Sequence, residues 1–242
     1  MKPITLMDML KAGVHFGHKT SLWNPKMAGF IYTQRNNIHI LDLEKTKAKL
    51  ASATAFAKDV ASKGGTILFV GTKRQAKGVV RAAAESCGMP YVVTRWLGGT
   101  FTNFRTIQRT IKKMERYEKM IADGEIKKYT KKEQLMIARE VEKMKQFFSG
   151  IKDMKKLPDA IFVLDVKYDH IPVEEAKQSK VKVIGLVDTN SDPSKVDYVI
   201  PSNDDAIKVI EYMATVMAEA VSDGKKNASS NVVVTEGAAV AK

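Results

Sequence analysis

Five short apolar runs constrain this chain more than any other feature: "TILFVG", "PYVV", "DAIFVLD", "VKVIGLVD" and "VDYVIP". Each is rich in Val, Ile and Leu and lacks polar alternation, the pattern of strands covered on both faces. Helix-forming stretches separate several of them. Arg74 to Cys87, closed by Gly88, follows the first run. "IPVEEAKQSK", with Pro172 near its start, precedes the fourth, and a last helix is expected from Asp204 to about Val221. This alternation predicts an α/β fold, a doubly wound parallel sheet of five strands. At 242 residues the chain can bury one such core and carry an appendage.

The appendage lies in the long crossover from "PYVV" to "DAIFVLD". Phe104, Ile107, Ile111, Met114 and Ile121 recur at helical spacing there. Leu135, Ala138, Val141, Met144, Phe148 and Ile151 do the same, with a turn at Asp123-Gly124 between the sets. Two such stripes predict an antiparallel helical hairpin packed as a short coiled coil. Ahead of the first run, Thr5 to Ala12 suits a short amphipathic helix, and "HFGHKTSLWNPKMAGF" reads as irregular. Phe30 to Leu43 reads as two short strands around an Arg35-Asn36-Asn37 turn. Asp42 then caps an alanine-rich helix to about Lys63, ended by Gly64-Gly65. The expected organisation is an α/β domain over 1–102 and 157–221, with 1–43 as an N-terminal extension. The hairpin is inserted over 103–156, and a small, polar, disordered tail covers 222–242.

Charge narrows the partners. The chain carries 40 Lys+Arg against 27 Asp+Glu, a net +13. Asn103 to Lys156 alone holds 16 basic and 8 acidic residues, 8 of those 13 charges. Such an excess favours nucleic acid, an anionic membrane or an acidic protein. No apolar run is long enough to span a bilayer, so no membrane is expected. "MKPITLMDMLKAG" lacks the apolar block of a signal peptide, and Cys87 has no second cysteine to pair with. A cytoplasmic location is expected.

"ILFVGTKRQAKGVV" (Ile67 to Val80) orders strand, glycine, cations and helix as a phosphate-binding loop does. The nucleotide motif fails, because Ala76 takes the second glycine's place and Gly78 stands where Ser or Thr would hold magnesium. The dinucleotide fingerprint fails at Thr72-Lys73. What remains is a helix start reinforced by Lys73, Arg74 and Lys77, suited to an anion but not to a nucleotide. Asp165 and Asp188 end two strands at the carboxyl edge, where doubly wound folds bind ligands. Magnesium-assisted phosphoryl chemistry is one reading of them; capping of turns such as "DTNSDP" is the plainer one. His15 and His18 lie three apart, as two metal ligands can. Yet the spacing of Cys87, His39 and His170 indicates no convergence with them. Packing or RNA contact is preferred for both histidines, with a loosely held metal as the alternative; no metal or cofactor is expected.

Cations interleaved with aromatics are more telling. "KTSLWNPK" sets Trp23 between Lys19 and Lys26, and "TRWLGGTFTNFR" groups Arg95, Trp96, Phe101 and Arg105 around Gly98-Gly99. Arg and Lys neutralise phosphates, aromatics stack on unpaired bases, and glycines admit the RNA backbone. For each aromatic alone, packing beneath a loop is the competing reading. For the hairpin it is a solvated face on a protein-binding helix pair.

The blocks "AGVHFGHKTSLWNPKMAGFIY", "IHILDLEKT", "GTKRQA", "RWLGGTFTNF", "PDAIFVLD", "GLVDTNSDP" and "IPSNDDAI" follow one another from Thr5 to about Val221. In this the sequence resembles the bacterial small-subunit ribosomal protein S-two family, although Ser202 stands where many relatives have Gly. The resemblance implies a flavodoxin-like sheet with a protruding hairpin and a structural, non-enzymatic role in the small ribosomal subunit. It also implies contact with small-subunit ribosomal RNA and with neighbouring proteins, including the S-one protein that handles messenger RNA. The candidate RNA-binding residues are Lys19, Trp23, Lys26, Arg35, Lys73, Arg74, Lys77, Arg95, Trp96, Arg105, Arg109, Lys112 and Lys113. An enzyme acting on a phosphorylated small molecule in the strand-edge crevice is the alternative.

Overall fold

The computed structural model describes the backbone of residues 3–239 and the side chains of residues 3–227. Helix α1 (Leu6–Ala12) starts at Thr5, whose hydroxyl accepts the Asp8 amide. The stretch expected to be irregular forms β1 (Phe16–Lys19) and two 3-10 turns. Strands β2 (Ile31–Arg35) and β3 (Ile38–Leu41) follow, and the three make a small antiparallel sheet in the order β1-β3-β2. Its hairpin turns at Asn36 and Asn37, both at positive φ, a conformation Asn tolerates. Strand β1 is hidden in sequence because its polar residues pair with β3 while its Gly and His fit no alternating pattern.

Asp42 then caps α2 (Leu43–Ser62) by accepting the amides of Glu44 and Lys45. Strand and helix alternate from there: β4 (Ile67–Val70), α3 (Lys77–Cys87), β5 (Tyr91–Val92), α4 (Phe104–Ala122), α5 (Lys131–Phe148), β6 (Ala160–Val163), α6 (His170–Gln178), β7 (Lys182–Val187), β8 (Tyr198–Pro201) and α7 (Ile207–Ala239). The five strands are parallel in the order β5-β4-β6-β7-β8. That is flavodoxin-like order, with its reversal between β4 and β6. Because side chains alternate along a strand, Ile67, Phe69, Phe162 and Leu164 face one way, into a core shared with α2, α3 and α7. Leu68, Val70, Ile161 and Val163 face the other, into a second core shared with α6. Gly71 serves this packing: a Cβ there would lie 2.6 Å from Val80 Cγ2 of α3.

Two expectations need correction. The hairpin stripes do not simply pair with each other. Ile107, Ile111, Met114, Val141, Met144 and Phe148 are buried in the same cluster as Leu68, Ile161 and Trp96, so the root of the arm covers one face of the sheet. Gly150 marks that docking, since a Cβ on it would run into the carbonyl of Tyr91. Farther out, Ile121 (39 %) and Leu135 (52 %) are exposed, as is Ala138. The distal arm has no sheet beneath it, so helical spacing there does not imply burial.

The other correction concerns the last helix, which passes its expected end at Val221. Beyond that point Lys225 donates to the carbonyl oxygens of Cys87 (2.7 Å) and Gly88 (3.0 Å). Residues 240–242 of the expected tail lie outside the described residues.

Candidate nucleic-acid interface and the strand-edge crevice

The loops after β4, β5, β6, β7 and β8 all gather at the carboxyl edge of the sheet, because parallel strands end on one side. At the reversal point between β4 and β6, Lys73 turns inward. Its ammonium reaches Asp165 (2.8 Å), Asp204 (3.3 Å) and Asp205 (2.6 Å), and its side chain is 16 % exposed. Burial opposes that charge, yet the hydrogen bonds it donates to Asp165 and Asp205 hold the ammonium pKa well above its ordinary value. Beside it, Asp169 accepts the Thr72 amide (3.1 Å) and hydroxyl (2.6 Å). The crevice where flavodoxin-like folds bind ligands is thus lined by the protein's own ion pairs, which leave a cavity of about 310 Å³. Lys73 is corrected accordingly, from RNA ligand to internal counterion.

A second group adjoins it. His18 Nδ1 lies 3.1 Å from Asp188 Oδ2, and Nε2 lies 3.3 Å from Asp205 Oδ2. The Asp188 contact raises the imidazole pKa against the effect of burial. Asp204, buried near Asp165 and Asp188, is pushed up to about 7, first by desolvation and then by those like charges. The N-terminal extension is fastened here as well. Asn203 donates to the Phe16 carbonyl (2.8 Å), Asn24 N–H to the Thr189 carbonyl (2.7 Å), and His18 N–H to the Thr189 hydroxyl (2.9 Å). His15 takes no part in it: its Nδ1 is buried without a partner and its ring lies 4.0 Å from that of Phe16.

The glycine-rich block after β5 is organised by Glu175 of α6, which is buried. Its carboxylate accepts the Gly99 (2.7 Å) and Phe101 (2.9 Å) amides and the Trp96 indole N–H (3.2 Å). Burial alone would raise this carboxyl, but the donors aimed at it hold its pKa below the ordinary value. Trp96 and Phe101 meet edge to face, 4.9 Å between centroids, with 6 % and 3 % exposure. Trp96 is therefore a core residue that cannot stack on a base, a second correction. Nothing in "IPVEEAKQ" distinguishes Glu175 from its neighbour Glu174; only the register of α6 buries it.

The other sequence-picked residues reach the surface. Arg74 and Lys77 flank the start of α3, Arg95 rides on the loop clamped by Glu175, and Arg105 begins α4; all are exposed. Lys26 is exposed and pairs with Asp192 (2.8 Å), drawing that carboxyl far below its usual range. Lys19 is exposed, and Trp23, 39 % exposed, leans on the His39 ring at 5.3 Å. Arg109, Lys112 and Lys113 line the outside of α4, where Lys113 pairs with Glu140 (2.7 Å). Arg35 stands apart, at the exposed tip of the small sheet. No helix among the described residues is long and apolar enough to cross a membrane.

A parallel α/β body whose crevice lysine is paired with the protein's own aspartates, and cations turned outward on edge loops and a helical arm, defines a basic scaffold of flavodoxin-like topology. The sequence model of the family described as Ribosomal protein S2 matches residues 9–224. With most of its 242 residues inside that match, the chain belongs to the ribosomal protein S2 family, structural proteins of the small ribosomal subunit rather than enzymes. The enzyme alternative falls with that membership.

Proposed function

We propose that this protein holds small-subunit ribosomal RNA at two separated places. One is the carboxyl-edge surface around Lys26, Arg74, Lys77, Arg95 and Arg105. The other is the outer face of the arm around Arg109, Lys112 and Lys113. Lys19 and Trp23 extend the first surface, and Arg35 offers a further contact at the tip of the small sheet. The observation that carries this reading is the outward exposure of these residues on a chain of net charge +13, beside a crevice whose own lysine is consumed by aspartates.

Phosphate neutralisation gives affinity without sequence preference. Two contacts on one rigid body raise it through effective concentration and fix the angle between RNA elements. The arm acts in this as a short coiled coil. The family resemblance adds a cytoplasmic setting and a role in seating the S-one protein. Hydroxyl-radical footprinting on small subunits lacking and then containing the protein tests the proposal. Two separate protected RNA patches are expected, of which the second disappears when Arg109, Lys112 and Lys113 are all changed to Ala. A single patch unaffected by those changes would refute the two-contact reading.

A further inference from the structure

We propose that a groove around the root of the arm holds a further stretch of RNA backbone, leading from α4 to the amino edge of the sheet. The proposal rests on the arm being an RNA contact and extends that contact to a part of the body opposite the carboxyl edge. Of the lysines in the groove, only Lys112 belongs to the set picked from the sequence.

Two hollows make the groove. One, of about 770 Å³, lies between Gln108, Lys112 and Glu115 of α4 and residues 152–155, beyond α5. The other, of about 920 Å³, runs from residues 153–156 to Gly64-Gly65, where β4 and β5 begin. They meet at a shared wall of Asp153, Met154 and Lys155. That wall is fixed in place. Met154 is buried, and Gln108 Nε2 donates to the Lys155 carbonyl (2.7 Å). Gln108 and Lys112 stand one turn apart on the same face of α4, so Lys155 and Lys112 are held on the same hollow.

Charge decides the occupant. Lys112, Lys155 and Lys156 are exposed. Among the described residues the side chains of Lys112 and Lys155 have no partner, and Lys156 approaches Asp159 only to 4.0 Å. The acidic groups beside them are engaged elsewhere. Lys152 pairs with Glu118 (2.9 Å) and draws on Glu115 and Asp153 at longer range, while Arg81 holds Glu85 (2.9 Å). None of the exposed large hydrophobic side chains lies on the groove, so it lacks the anchor a protein partner would use. At the far end Gly64 has φ +72° and no atom within 4 Å of where a Cβ would stand, which leaves the floor open to close approach by a backbone. Lysines along such a path grip phosphates and fix the course of the strand without reading its sequence.

The test is directed hydroxyl-radical probing of reconstituted small subunits, with iron–EDTA tethered to one cysteine of the full-length protein in a Cys87→Ala background. One tether is Lys119→Cys, on the arm. The other is Lys63→Cys, beside Gly64 at the far end of the groove; both positions are exposed. Each tether is expected to cut small-subunit ribosomal RNA. Cutting from Lys119→Cys with none from Lys63→Cys would overturn the groove while leaving the arm contact intact, and is the result an acidic protein in the groove would give. No cutting from either would overturn the arm contact as well. Independently, Lys155→Ala combined with Lys156→Ala should melt like the native protein and lose about 1.4–1.8 from the slope of log K against log salt. An unchanged slope would overturn the proposal.

Discussion

The strand-edge crevice and the helical arm both concentrate charge, and they use it in opposite ways. In the crevice, the buried Asp165, Asp188 and Asp204 stand around Lys73 and His18, where unpaired charge is expensive and each group needs its partner, and the more exposed Asp205 closes the group from outside. On the arm, 16 basic residues face 8 acidic ones over 103–156. The pairs that form there, such as Lys113 with Glu140 and Lys145 with Glu118, are largely solvated and individually weak. Buried charge in this molecule fixes architecture; exposed charge remains available to an outside polyanion. Lys73 and Arg74, adjacent in the chain, fall on either side of that line.

The comparison breaks most severely if the arm is cut at its root. Deleting 105–154 removes Ile107, Ile111, Phe148, Ile151 and Met154 from a cluster that also holds Leu68, Val70 and Ile161. Each such loss costs about 2–5 kcal/mol in a packed core, and the total exceeds the stability of an ordinary domain. Cooperative melting followed by circular dichroism should disappear. Replacing only 116–139 with a short Gly/Ser linker should preserve it, since Lys113 and Glu140 already meet at 2.7 Å. A full deletion that melts like the intact chain would show the root to be dispensable.

A smaller effect separates the neighbours. Lys73→Ala leaves Asp165 and Asp204 buried without their cation and should lower stability by about 3–5 kcal/mol. Arg74→Ala, at an exposed position, should change it by no more than about 0.5 kcal/mol. Urea unfolding at neutral pH distinguishes them, and similar values for both would erase the contrast drawn above.

Much of this was legible because local rules and tertiary structure agree. Continuous Val/Ile/Leu runs marked strands β4 to β8, and Asp42 announced the helix it caps. The failures share a cause, namely depth. Lys73 and Arg74 look alike in a sequence, and only the aspartates of distant loops draw one inward. Trp96 beside Arg95 reads as a stacking platform until Glu175, some eighty positions on, takes its indole N–H. Leu135 keeps perfect helical spacing yet extends past the edge of the sheet. His18 was weighed with His15 because they are near in sequence, whereas its real companions lie near position 200.

The central claim is that the outward cations of the carboxyl edge meet RNA phosphate. It is tested most directly by the salt dependence of binding to small-subunit ribosomal RNA, comparing the native protein with a variant carrying Arg74→Ala, Lys77→Ala and Arg95→Ala. Each phosphate contact removed should flatten the slope of log K against log salt by about 0.7–1. The variant should therefore melt like the native protein, bind more weakly, and lose about 2–3 from the slope. Equal affinity and equal slope in the two proteins would contradict the account.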